Sequence, residues 1–334
     1  MISEILALSR NDIVRLGIGM AEVISAVEGA LVQQASGAVE MPDKVQVHWE
    51  KEKSLTGMPG YVPAAKALGI KWVGTAAMNP DRGFPQTSAT IILNDPGTAL
   101  PVAFMDGTWV TAMRTGAVSA VSAKYLALPD AEVLTLIGCG VQMRTQVMAL
   151  SNVLKPKVVR ALDASVSVAD RFVRDMESLL EAEWQTPESI EEAVVGSDVV
   201  VTATRLVVPP VPIIKRSWLK PGLLALPIDV QGIWEPSTYL DTDKFICDRW
   251  SSLEHFAEIG GFPQGLPKLY AELHEIACGR KPGRENGAER IMAMNTGMAI
   301  EDVVTSMLVY ERAKEEGIGT KLPFIESLQE LWRF

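Results

Sequence analysis

The sequence predicts an α/β protein of two domains, a strand-rich α+β domain followed by a doubly wound parallel α/β domain. Three observations predict it. Short apolar runs and helix-period segments alternate between Ala131 and Asp248, as a parallel sheet with crossover helices requires. Before them, residues 41–105 carry strand-like runs separated by Asn, Asp, Gly and Pro, without interleaved helices. The chain has 334 residues, enough for two cores.

Ala131 to Asp163 organises the second domain. An apolar strand, Val133 to Ile137, runs into Gly138-Cys139-Gly140. A helical segment follows, with apolar positions at Val147, Met148, Leu150 and Leu154, and a second strand, Val158 to Leu162, ends at Asp163. This is the order of a Rossmann dinucleotide-binding unit. Gly138 lets the chain turn as it leaves the strand, and Gly140, lacking Cβ, lets backbone approach a pyrophosphate. The helix start adds N–H groups and a favourable dipole. Asp163 can accept both adenosine ribose hydroxyls and would repel a 2′-phosphate, so NAD is expected rather than NADP. Two departures stand out. Met143 occupies the third glycine position, and Asp163 lies 25 residues after Gly138, slightly beyond the usual spacing. Plain turn glycines are the structural alternative. The flanking strands and terminal Asp favour the dinucleotide.

Composition removes other classes. The net charge is −10, and the 31 Lys and Arg are scattered, so no nucleic-acid surface is expected. No apolar run approaches the ~18 residues of a membrane span, and no leader pattern opens the chain, so neither membrane nor secretion is expected. Cys139, Cys247 and Cys278 lack metal-site spacing and fit a reducing cytoplasm. Cys139, between two backbone-critical glycines, reads as a small packing residue. His48, His255 and His274 are too isolated for a zinc site, so no metal is expected.

In order, residues 9–37 read as helical, with Ser9 and Asp12 forming a cap, and MPDKVQVHW over 41–49 reads as a strand with Lys44 near its start. Lys71 to Gly74, Ile91 to Leu93 and Leu100 to Met105 are further strands. Thr108 to Leu126 is rich in small residues and suits a closely packed helix, with Arg114 near its beginning. A buried guanidinium needs an anionic partner, either a substrate carboxylate or an internal acid. Ser167 to Leu180 and a segment from Thr186 are helices, Asp198 to Thr204 is a buried strand, and Pro209 to Pro212 breaks the chain. Leu223 to Ile228 precedes Asp229, and Phe245 to Asp248 is another strand. Ligands bind beyond the carboxyl ends of such strands, so Thr202, Thr204 and Asp229 are candidates to face the nicotinamide half. Residues 265–278 and Ala299 to Glu315 read as helices. Leu322 to Phe334 is expected to return to the first domain.

A set of segments spans nearly the full length: Met58-Pro59-Gly60-Tyr61, Gly69-Ile70-Lys71, Leu93-Asn94-Asp95-Pro96 and Met105-Asp106-Gly107-Thr108 through Ala112-Met113-Arg114-Thr115-Gly116-Ala117. It continues in Gly138-Cys139-Gly140-Val141-Gln142 and in residues 309–320. By these segments the whole chain resembles the ornithine cyclodeaminase and mu-crystallin family. The resemblance implies a substrate-binding and dimerisation domain over 1–125, joined by 315–334, a Rossmann NAD(P)-binding domain over 126–314, and a homodimer. It implies Arg114 as the carboxylate-binding arginine, Lys71 as the active-site lysine, Lys44 as a further basic contact and Met58 as a substrate neighbour. Asp229 falls at the aspartate that handles a proton in cyclodeaminases. Val141, Gln142, Thr115 and Asn295 fall among cofactor-side positions. The usual lysines after the aspartate and before the last glycine loop are absent, at Asp229-Val230-Gln231-Gly232-Ile233 and at Met294-Asn295-Thr296-Gly297.

The implied activity is NAD(P)-dependent oxidoreduction at the C–N bond of a small amino acid or its imine. The alternative is a cyclodeaminase that uses NAD catalytically to make L-proline or another cyclic imino acid. A non-catalytic mu-crystallin-like binding protein is the third reading.

Overall fold

The computed structural model describes residues 3–50, 53–205 and 211–325. The first elements are β1 (Ser3–Leu8), α1 (Arg10–Arg15), α2 (Met20–Ala35), β2 (Val45–Glu50), β3 (Lys53–Val62), β4 (Ala67–Ala76), β5 (Thr87–Asn94), β6 (Pro101–Asp106) and α3 (Gly107–Leu126). An α/β alternation follows, through β7 (Val133–Ile137), α4 (Val141–Leu150), β8 (Val158–Leu162), α5 (Val166–Met176), β9 (Glu183–Gln185), α6 (Ile190–Val194) and β10 (Val199–Thr202). It continues with β11 (Leu224–Pro227), α7 (Pro236–Leu240), β12 (Lys244–Cys247), α8 (Trp250–Glu258), β13 (Leu269–Glu272), α9 (Leu273–Ala277) and β14 (Ile291–Met294). The described chain closes with α10 (Ala299–Glu316) and β15 (Thr320–Ile325).

The chain divides into two compact units. One holds the described residues of Met1–Arg114 and Met298–Phe334, the other Thr115–Gly297.

In the first unit the strands run in the order β15-β1-β6-β5-β4-β3-β2. All neighbours are antiparallel except β1 and β6. Because side chains alternate along a strand, cross-strand partners share a face. Met58, Lys71, Ile91, Met105 and Leu8 form one continuous row by register, and all five are buried. Lys71 is the one polar member of that row. The opposite face carries Val45, Val47, Trp72, Ile92 and Phe104, all exposed. Helix α10 packs on α2, β3, β4 and β5. Gly60 permits this approach, since a Cβ there would lie 3.0 Å from the Ala299 Cβ.

That packing places α10 in the first unit, whereas the sequence reading put 126–314 in the dinucleotide domain. The division falls inside α3, at Arg114/Thr115, rather than near residue 125. β15 pairs with β1 and so belongs to the first unit. The rest of the final run, 326–334, and Pro209 and Pro210 lie outside the described residues. The helix expected over 9–37 is two helices, interrupted where Gly17 takes a left-handed φ of 60°. Ser9 and Asp12 form the expected capping box at the start of α1.

In the second unit an all-parallel sheet runs β13-β12-β14-β11-β10-β7-β8-β9. Strand order reverses between β7 and β10, the switch point at which such sheets bind ligands. Strands β10, β11, β12 and β14 are buried throughout, consistent with cover on both faces. The small residues of α3 serve close packing, because a Cβ on Gly116 would come within 2.4 Å of the Thr145 carbonyl oxygen. The helix expected over 265–278 is instead β13 followed by the short α9. Pairing with β12 draws Leu269–Glu272 into the sheet. Among the described residues, no helix is long and apolar enough to cross a membrane.

Candidate active site

The first unit supplies a buried charge cluster. Strand β4 brings Lys71 into the apolar row, where its side chain is 2% exposed, and α3 brings Arg114, at 8%. Two consecutive acids in the first turn of α10 meet them. The Lys71 Nζ lies 2.6 Å from Asp302 Oδ2, and Arg114 Nε donates to Asp302 Oδ1 at 3.0 Å. Arg114 Nη1 donates to Glu301 Oε2 at 3.1 Å, and that same oxygen accepts the Met298 N–H at 3.2 Å. Asp302 and Glu301 are fully buried.

Burial pushes the Lys71 amine down from its usual range to about 8. Asp302 opposes that shift, whereas Arg114 and half-buried Lys44 reinforce it. Lys71 therefore changes charge near neutral pH. Met58 faces Lys71 across the sheet and keeps that flank apolar. The structure thus brings Lys71, Arg114, Lys44 and Met58 together. It also gives Arg114 the internal acidic partners that were the alternative to a substrate carboxylate.

The second unit supplies the glycine turn. Gly138 has φ 91°, and a Cβ there would lie 2.5 Å from the Ala203 carbonyl oxygen, so no other residue fits without displacing backbone. Gly140 is the N-cap of α4, and a Cβ on it would meet no atom within 4 Å. The open space beside Gly140 and the start of α4 is the shape a pyrophosphate needs, so these residues fit a dinucleotide. Asp163 Oδ2 accepts the Cys139 N–H at 2.8 Å, and Oδ1 accepts the Ser165 N–H at 3.0 Å. The acid therefore fastens the turn as well as standing at the end of β8. Burial and Asp163 raise the Cys139 thiol to about 12, so it is no nucleophile. Val141 is exposed at the helix start, and Gln142 Oε1 is buried without a hydrogen-bond partner among the described residues. Met143, at the position of the missing third glycine, is fully buried.

Thr202, Thr204 and Asp229 form one network in the same unit. Asp229 accepts from Thr202 Oγ1 at 2.5 Å, from the Thr204 N–H at 3.0 Å and from Thr204 Oγ1. Thr202 Oγ1 also accepts the Trp234 indole N–H at 2.9 Å. Burial raises the Asp229 carboxyl above its usual range, against the pull of these donors. The following turn closes over it, with Val230 left-handed at φ 56° and Gly232 so near that a Cβ would lie 2.5 Å from the carboxyl carbon. This is where the usual lysine is missing. Elsewhere in the unit, Asn295 Nδ2 donates to Ser122 Oγ at 2.9 Å, and the Thr115 carbonyl accepts from Gln146 Nε2 at 3.2 Å.

Glu301 and Asp302 escaped the sequence reading, which took Ala299 to Glu315 as a helix and assigned no role to its acids. The signal was present: two adjacent acids lie inside Ala299-Ile300-Glu301-Asp302-Val303-Val304, a run with no polar face to solvate them. Among the described residues, no group of three or more His, Cys, Asp or Glu is arranged to hold a metal.

Known proteins resemble this chain in sequence and fold. The sequence model of the ornithine cyclodeaminase/mu-crystallin family matches residues 6–317. The structure of Thermococcus litoralis Delta(1)-pyrroline-2-carboxylate reductase, in complex with NADH and L-proline, is similar with a TM-score of 0.88 and 34% identity. That match covers 95% of this chain and 100% of the reductase. An archaeal alanine dehydrogenase dimer with bound NAD matches with a TM-score of 0.86 and 32% identity, over 96% of this chain and 100% of that one. A lysine cyclodeaminase, studied for recognition of L-lysine, L-ornithine and L-2,4-diaminobutyric acid, matches at 0.85 and 26% identity, over 96% of each chain. The chain belongs to the ornithine cyclodeaminase/mu-crystallin family.

Proposed function

We propose that this chain works on a small cyclic imino carboxylate, reducing it to the ring amino acid with NADH. It is an NAD(H)-dependent oxidoreductase acting on the C–N bond of an amino or imino acid, of dehydrogenase or cyclodeaminase type. The observation that carries the reading is the buried Lys71 amine, brought to about 8 and set beside the Arg114 guanidinium. An amine with that affinity is matched to giving a proton to an imine nitrogen near neutral pH. A guanidinium is suited to a carboxylate.

In this reading the first unit, through Arg114 and with α10 and the returning segment, binds substrate, and the Rossmann unit binds NAD. Arg114 and Lys44 hold the carboxylate, and Met58 packs the ring. NADH, when bound, supplies the hydride. Lys71 gives its proton to the imine nitrogen, so C=N becomes CH–NH and Lys71 is left neutral, to be reprotonated from water. Gly138, Gly140, Val141, Gln142, Asp163, Thr115 and Asn295 form the cofactor side. Thr202 and Thr204 hold Asp229.

The comparisons bring forward the ring chemistry of the alternative reading. The pyrroline-carboxylate reductase holds L-proline, and the cyclodeaminase takes diamino acids. Ring closure by a cyclodeaminase is the second reading here, and the buried Asp229 carboxyl, raised above its usual range, supports it as a group able to take up and release a proton.

The exposed apolar face carrying Val45, Val47, Trp72, Ile92 and Phe104 supports the homodimer, made through the first unit. Three free cysteines support the cytoplasmic setting.

The test is incubation with Delta(1)-pyrroline-2-carboxylate and its six-membered homologue in the presence of NADH. L-Ornithine and L-lysine with catalytic NAD are run in parallel. The proposal expects one NADH oxidised per ring imino acid consumed. Ammonia and ring product from the diamino acids, without net NADH, would establish the second reading instead. No turnover of either kind would end both.

A further inference from the structure

The acid at the start of α10 does more than neutralise its neighbours. Among the described residues, Asp302 touches both proposed substrate-facing cations, with Oδ2 2.6 Å from Lys71 Nζ and Oδ1 3.0 Å from Arg114 Nε. Two like charges buried side by side repel, and each long side chain has rotamers that would separate them. A shared carboxylate removes the repulsion and fixes both head groups. Asp302 is itself held rigidly. It lies in the first turn of an 18-residue helix that packs on β3, β4 and β5, with Glu301 beside it accepting the Met298 N–H at the helix start. Glu301 takes a second edge of the same guanidinium, at 3.1 Å, which orients its plane.

We propose that Asp302 is a positioning residue: it clamps the Lys71 ammonium and the Arg114 guanidinium into one fixed pair that meets an imino carboxylate. This rests on the function proposed above, because it assigns Lys71 and Arg114 to the substrate.

The charge state of Lys71 follows from the same contact. The groups acting on it are Asp302 from α10, Arg114 from α3, itself bound to Glu301, and Lys44 ahead of β2. Its sheet neighbours opposite are Met58 on β3 and Ile91 on β5, both apolar. Burial, Arg114 and Lys44 all favour the neutral amine, and Asp302 is the group that opposes them. With Asp302 neutralised, Lys71 would lose its proton at a lower pH and be a poorer proton donor.

The test is the titration of the Lys71 side-chain carbon resonance in protein labelled with ¹³C-lysine, assigned with Lys71→Arg. Its midpoint needs no substrate. In Asp302→Asn the midpoint is expected at least about one pH unit below that of the unaltered protein, a tenfold change in proton affinity. In Arg114→Gln it is expected to rise, because a repelling cation has gone. The alkaline limb of imine reduction should move down with the amine in Asp302→Asn, with kcat lower by about 10²-fold or more. An unmoved midpoint in folded Asp302→Asn would overturn the proposal. If that variant does not fold, Arg114→Gln decides, and an unmoved or lowered midpoint there overturns it. Shifted midpoints without turnover of any ring imino acid would leave the clamp standing and remove the proposed substrate. Turnover with unshifted midpoints would do the reverse.

Discussion

Asp229 and Asp302 are both buried acids, yet Asp229 is held by hydroxyl and amide donors and Asp302 by two cations. Neutral donors leave the carboxyl of Asp229 subject to desolvation, and it is raised. Cations on Asp302 make a closed ionic set in which each charge depends on the others. The two proposed roles, proton exchange at Asp229 and positioning at Asp302, thus go with different surroundings. Asp229, proposed above to move a proton in the second reading, is the acid with neutral partners.

The largest effect expected from breaking this contrast is at Arg114. Arg114→Ala removes one cation from the ionic set and leaves its acids undercompensated, which costs about 3–5 kcal/mol of stability when a buried pair is broken. Catalytic efficiency should fall by about 10³-fold, while NADH affinity, measured by calorimetry, stays within about twofold. Lys71 comes next, and its sign can be worked out. Its folded-state value, about 8, lies below the usual 10.5, so the unfolded chain binds more protons between those values. Stability should therefore rise as pH goes from about 8 to about 10.5, by on the order of 3 kcal/mol. Urea titrations of Lys71→Met should lack this rise. Asp229→Asn is expected to be milder for imine reduction, about tenfold, because its oxygens already serve Thr202 and Thr204. Ammonia release from a diamino acid, where it occurs, should fall much further in that variant. Last comes Asp163, where the effect is on cofactor choice alone. Asp163→Ser should narrow the preference for NADH over NADPH by about tenfold without changing the pH profile.

The two units also differ in how much of each could be read in advance. In the parallel sheet, β7 and β8 begin and end where the apolar runs do, because strands covered on both faces are written as continuous Val, Leu and Ile. Gly138, Gly140 and Asp163 were legible for the same reason: each answers a local backbone or ligand requirement. Strand β3 was not, since Gly57, Pro59 and Gly60 interrupt any strand pattern. Gly60 is there for α10 to approach, a requirement written in a segment more than two hundred residues away. The helix expected over 265–278 failed similarly, because only pairing with β12 makes Leu269–Glu272 a strand. Lys71 and Arg114 could be found by resemblance. Their partners Glu301 and Asp302 could not, because an acid inside an apolar helix gains its meaning from the strand lysine and helix arginine that the fold brings to it.

The central claim is hydride chemistry at a ring C–N bond, and one measurement meets it directly. The protein is supplied with NADH deuterated at nicotinamide C4 on the transferred face and with Delta(1)-pyrroline-2-carboxylate, and the product is analysed by NMR. The account predicts proline carrying one deuterium on the carbon between nitrogen and carboxylate. Proline without deuterium at that carbon, or no proline, would contradict it.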